Sequence, residues 1–123
     1  MRVLVCGGRD YGYKWEGGKK IVDYDVINKA IDIVKEVKPS YLIHGGATGG
    51  DEIAVYTAKA LDLPVVCFSA DWKTHGKAAG PIRNQKMLDE GKPDLVVAFP
   101  GSSGTADMVR RANKAGVEVK EVK

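Results

Sequence analysis

Residues 44–51 read HGGATGGD, four glycines in eight positions, directly after the apolar run Tyr41-Leu42-Ile43. Two more glycine-bearing stretches follow strand-like runs in the same way: CGGRD at 6–10 and FPGSSGT at 99–105. Glycine gives the backbone access to positive φ and lets a ligand approach the amides closely. Where such a turn opens a helix, the first N–H groups lack partners and carry partial positive charge, which suits phosphate. The third stretch has this form, with Gly101 and Gly104 shaping the turn and Ser102, Ser103 and Thr105 adding hydroxyls. The second offers Gly45, Gly46 and Gly49, with Thr48 as the hydroxyl contact. The first offers Gly7 and Gly8, then Arg9, whose planar guanidinium can grip phosphate through two hydrogen bonds. Glycine-rich turns also occur with no ligand, merely to close a tight connection.

Other residue types narrow the chemistry. None of the loops carries the G-K-[ST] of a Walker site, and CGGRDYG is not G-x-G-x-x-G, so a standard NAD site is not expected. Asp10 suits a ribose hydroxyl or a cap, and Asp51, at a helix start, suits a cap or the sugar side of a ligand. Arg83 and Asn84 follow HGKAAGP at the start of a helix, where an arginine opposes the helix dipole and so hints at an anionic ligand. Trp72 could stack on a base or cover the edge of the core, and the core is the expectation. His44 ends a strand and is expected to hydrogen-bond a nearby loop. His75 reads as polar surface, and Trp15 as either a lid or surface.

These residues need a scaffold that brings the loops together. A chain of 123 residues suits one domain, 1–123, large enough for a real core. Its 44% apolar and 28% charged content is that of an ordinary globular protein, and the net charge of +3 tolerates an anionic ligand without demanding nucleic acid. No apolar run reaches membrane-span length, and MRVLVCGG is too short for a signal peptide, so a cytoplasmic protein is expected. Cys6 and Cys67 lack metal-ligand spacing and read as small buried hydrophobes, with no metal or cofactor implied.

Apolar runs at 2–6, 41–44, 64–68, 94–99 and 117–122 read as strands, the last alternating apolar and charged residues as an edge does. Helical spacing appears at Ile27, Ala30, Ile31 and Val34, over 51–61, near 82–90 and over 105–115. The insertion at 12–20 reads as irregular and is expected to overhang the strand ends. Repeated βα units predict an α/β, doubly wound sandwich of five mainly parallel strands in the order 3-2-1-4-5. Ligands in such sheets sit beyond the carboxyl ends of the strands, where the order reverses. That order makes the three glycine loops the walls of one crevice.

The segments VLVCGGRDY (3–11), HGGATGGDEIA (44–54), FSADWKTHGKAAGPIRNQKML (68–88) and PDLVVAFPGSSGTADMVRRA (93–112) resemble the YspA-like family of the SLOG superfamily. Relatives there include the LOG phosphoribohydrolases and DprA. The resemblance implies a Rossmann-like fold, a site for nucleotide-derived ligands and self-association as dimers or larger homo-oligomers. The LOG enzymes carry P-G-G-x-G-T-x-x-E. Pro100, Gly101, Gly104 and Thr105 match it, Ser102 replaces a glycine, and Met108 stands at the catalytic glutamate. Asp107 is one position earlier and points about 100° away on a helix. Arg83 is the counterpart of their arginine. Gly50 stands where relatives often have alanine, a change expected to be mild.

Three functions follow. The first expectation is a sensor or sequestering module for a nucleotide-like small molecule. The alternative is an N-glycosidase or nucleotide hydrolase, with Asp107, Asp51 and Arg83 as catalytic candidates and Asp10 a further carboxylate. The weakest is single-stranded nucleic-acid binding through Tyr11, Tyr13, Trp15, Trp72, Lys14, Lys19 and Lys20. No membrane partner is expected.

Overall fold

The computed structural model describes residues 1–123. The chain runs β1 (Arg2–Cys6), β2 (Tyr13–Glu16), β3 (Lys19–Val22), α1 (Tyr24–Glu36), β4 (Tyr41–His44), α2 (Glu52–Leu61), β5 (Val65–Cys67), α3 (Trp72–His75), α4 (Ala79–Gly91), β6 (Leu95–Ala98), α5 (Ser103–Lys114) and β7 (Glu118–Glu121). Single 3-10 turns at Gly49–Asp51 and Gly76–Ala78 lead into α2 and α4. Five strands form a parallel sheet in the order β5-β4-β1-β6-β7. Counted over the five apolar runs alone, this is the expected 3-2-1-4-5.

Near-continuous apolar strands put one face into each of two cores. Val3, Val5, Leu42 and Val97 face Ile27, Ala30 and Val34 of α1 and Ile53, Ala54 and Ala58 of α2. Leu4, Cys6, Ile43, Val96 and Ala98 face Met87 and Leu88 of α4 and Met108 and Ala112 of α5. Alternate residues of β1 thus serve opposite layers, as the two-residue period of a strand requires. Asp23 caps α1, its carboxylate accepting from the Val26 amide at 3.3 Å. β7 is mostly exposed, as expected of an edge. No helix is long and apolar enough to cross a membrane.

Four expectations change. The insertion is not irregular: β2 and β3 pair as an antiparallel hairpin around Gly17 and Gly18, both at positive φ. That is the two-residue turn that matches strand twist, and a Gly-Gly pair between extended runs is its sequence signature. Helix α4 begins at Ala79, so Arg83 lies a full turn inside it and does not oppose the dipole at its first turn. Cys67 is exposed, on the edge strand β5, and only Cys6 is buried. Trp72 does not cover the core and is 51% exposed.

Candidate functional site

The loops after β1, β4 and β6 meet backbone to backbone. The Gly8 amide donates to the Pro100 oxygen at 2.9 Å, and the Gly50 amide donates to the Gly8 oxygen at 2.8 Å. A Cβ on Gly50 would fall 2.3 Å from the Gly7 Cα, and one on Gly8 would fall 3.0 Å from the Gly101 Cα. These glycines are fixed by close approach. The expectation of a mild Gly50→Ala change is therefore corrected for this chain, because the Gly7 backbone occupies the space. Above this floor opens a crevice of about 1420 Å³.

The second and third loops differ in what their amides do. In the second, Asp51 folds back: its Oδ2 accepts from Gly45 N at 3.2 Å and Ala47 N at 3.4 Å. Gly46 N donates to His44 Nδ1 at 3.0 Å, and Gly49 N donates to Glu52 Oε1 at 2.8 Å. The loop's main donors are thus satisfied within the chain. Asp51 makes no forward cap to α2. Burial pushes its carboxyl above the usual range, and the amides of Ala47 and Gly45 and the Arg83 charge only partly oppose this. Burial, reinforced by the Arg83 charge, pulls His44 down, which suits an imidazole whose Nδ1 accepts a hydrogen bond.

In the third loop, the amides of Gly101, Ser102, Ser103, Gly104 and Thr105 have no partner within the chain. Ser102, the residue preceding α5, makes no side-chain cap. This twelve-residue helix therefore directs its unsatisfied donors and the positive end of its dipole at the crevice, which all five residues line. The Thr105 hydroxyl lies where a Cβ on Gly101 would be, so Gly101 admits it to the turn.

Behind the loops, α4 and α5 are tied by polar contacts. Arg83 Nη1 donates to the Gly45 oxygen at 2.5 Å and its Nε donates to Asn84 Oδ1 at 3.0 Å. Asn84 Nδ2 donates to Asp107 Oδ2 at 3.0 Å and to the Gly104 oxygen at 3.3 Å. Asp107 also accepts from Arg111 Nε at 2.9 Å and from Arg110. Burial works against the Asp107 charge, but Asn84, Arg111 and Arg110 outweigh it and hold the carboxyl below the usual range.

The other expected residues take these places. Gly7, Gly8, Arg9, Asp10, Gly45, Gly46, Thr48, Asp51, Arg83, Asn84, Pro100 and Asp107 all line the crevice, whereas Gly49 lies beneath it. Arg9 is exposed, and Asp10 pairs with Lys20 at 2.6 Å. Thr48 Oγ1 donates to the Arg9 oxygen at 3.4 Å, linking the first two loops. The hairpin does not overhang: none of its residues lines the crevice, and Tyr13 anchors it to Glu52 at 2.8 Å. Burial pushes the Cys6 thiol up to about 12, which removes it as a nucleophile near neutral pH. Lys77 and Arg110 also line the crevice and escaped sequence reading. Arg110 was findable as the residue three positions after Asp107, on the same helix face. No three histidine, cysteine, aspartate or glutamate side chains gather to hold a metal ion.

A family model described as YAcAr, the YspA, cpYpsA-related SLOG family, matches residues 1–75. The Gene 61 protein of Mycobacterium phage D29 is 40% identical over 125 residues, covering 96% of this chain and 93% of that protein. The family match takes in the first two glycine loops, while the alignment with the phage protein spans nearly the whole chain.

Proposed function

The chain belongs to the YspA, cpYpsA-related SLOG family, and on that premise we propose that it binds a nucleotide-derived phosphate ligand, as a sensor or sequestering module. Family membership is consistent with nucleotide-related binding or processing. The observation that carries the reading is the run of unpartnered amides from Gly101 to Thr105 at the start of α5, opening on the crevice. Arg9, Lys77 and Arg110 line the same crevice and favour an anion there. Calorimetry against phosphate, ribose 5-phosphate, nucleoside monophosphates, cyclic nucleotides and ADP-ribose tests it. Saturable binding of phosphate-bearing members, weakened by salt and by Arg9→Ala, is the expected outcome. A flat response from folded protein would rule the reading out.

A hydrolytic reading is favoured by one observation. Asp51 is a crevice-lining carboxyl whose burial pushes its pKa up, as a general acid needs. Asp107 suits that role less, because Asn84, Arg110 and Arg111 hold it as an anion. Release of free base from nucleoside monophosphates, abolished by Asp51→Asn, is the outcome this reading requires.

A further inference from the structure

Two aromatic side chains line the crevice, Tyr11 and Trp72. The Tyr11 ring is already stacked on Phe99, with centroids 5.0 Å apart and an interplanar angle of 26°. Trp72 is different. It stands at the start of the one-turn helix α3, whose position is fixed by Asp71 accepting from the Thr74 amide at 3.1 Å. The rim of its six-membered ring lies near α4 at Gly80, where an added Cβ would come within 3.4 Å of Cη2. Even so, half of the residue's surface remains open to solvent. Trp15, by contrast, is exposed on the hairpin and does not line the crevice.

A large apolar ring left open inside a polar cleft is unusual, because tryptophan is normally well buried. We propose that Trp72 is the stacking platform for the planar base of a nucleotide whose phosphate is held at residues 101–105, so that the crevice selects nucleotides over bare sugar phosphates. This rests on the phosphate-binding reading above. Every base presents a π-face, so such a platform accepts purines and pyrimidines alike and distinguishes them weakly. The covered face gains what an aromatic ring gains from burial, without any polar group of the base being desolvated against it.

The chain has two tryptophans, so Trp15→Phe leaves Trp72 as the sole indole reporter. In that protein, AMP, UMP, ribose 5-phosphate and inorganic phosphate are titrated by calorimetry and by tryptophan emission. The expected result is that AMP and UMP quench the emission and bind roughly tenfold or more tighter than ribose 5-phosphate, the scale set by base stacking on an aromatic ring. Trp72→Leu is expected to bring AMP down to the ribose 5-phosphate level while leaving ribose 5-phosphate itself unchanged, and Trp72→Phe to restore part of the gap. Equal affinity of AMP and ribose 5-phosphate for the starting protein overturns the platform but leaves phosphate binding standing. So does an AMP preference that survives Trp72→Leu. Failure of all four probes overturns the platform, and a flat response to cyclic nucleotides and ADP-ribose as well overturns phosphate binding with it.

Discussion

Arg83 Nη1 lies 2.5 Å from the main-chain oxygen of Gly45, so the interior of α4 is pinned directly to the loop that ends β4. A guanidinium is always charged, and its hydrogen bond to a half-buried carbonyl is of the stronger kind. Replacing Arg83 with leucine leaves that carbonyl unpaired and is expected to lower stability by about 1–3 kcal/mol, read from urea unfolding. Arg83→Lys keeps the charge but loses the fork to Asn84, and is expected to lose less. If both variants unfold with the wild type, the bond contributes nothing to the scaffold.

Asp51 and Asp107 are both buried carboxylates, yet they should respond oppositely to pH. The folded-state pKa of Asp51 is raised above its ordinary value of 3.8, chiefly by burial. Its protonated form is therefore favoured by folding, and that contribution fades as pH rises through the folded value. Relative to Asp51→Asn, the wild type should lose stability on going from acid to neutral pH. Denaturation series at several pH values check this, and a wild-type advantage over Asp51→Asn that increases with pH would contradict the burial-dominated state.

Asp107 has its folded pKa lowered because Asn84, Arg111 and Arg110 together outweigh the burial that opposes its charge. Its contribution is present above 3.8 and is lost as pH falls through the folded value. Asp107→Asn is expected to cost about 1–3 kcal/mol at neutral pH, mainly through the buried bond to Asn84 and the partly buried one to Arg111, and much less in acid. Arg110 is largely solvated and adds little. A penalty independent of pH would instead mark a packing effect.

Glycines of the second and third loops should separate stability from binding. Gly50→Ala forces a methyl against Gly7 and is expected to lower stability by about 2–3 kcal/mol. Gly104 has nothing within 4 Å of an added Cβ, and its φ is not positive. Gly104→Ala should therefore leave stability unchanged or raise it by up to about 1 kcal/mol, while obstructing ligand approach to the free amides. Unaltered affinity for phosphate-bearing ligands in that variant would show that the start of α5 is not where the anion sits.

A parallel sheet with helices on both faces was readable because the apolar runs at Val3–Val5 and Leu95–Phe99 are unbroken and so must be covered on both sides. The helix α1 was readable from Ile27, Ala30 and Val34. The hairpin's sequence signal, Gly17-Gly18, sits between flanks too polar to read as strands. What no local pattern could convey is that two glycine-bearing loops have opposite hydrogen-bond states. Asp51 reaches back six and four residues to Gly45 and Ala47, and that return depends on the loop's three-dimensional path. The exposure of Trp72 was equally hidden, since a single-turn helix has no periodicity from which to assign a face.

The seam between Gly7 and Gly50 gives the crevice a floor made of main chain alone. Main-chain atoms are identical whatever the residue, so sequence drift cannot sculpt that floor, only preserve it or wreck it. Any retuning toward a different small molecule would have to be written around the margin, at positions such as Arg9, Trp72 and Arg110, whose exposed side chains line the crevice without forming its floor.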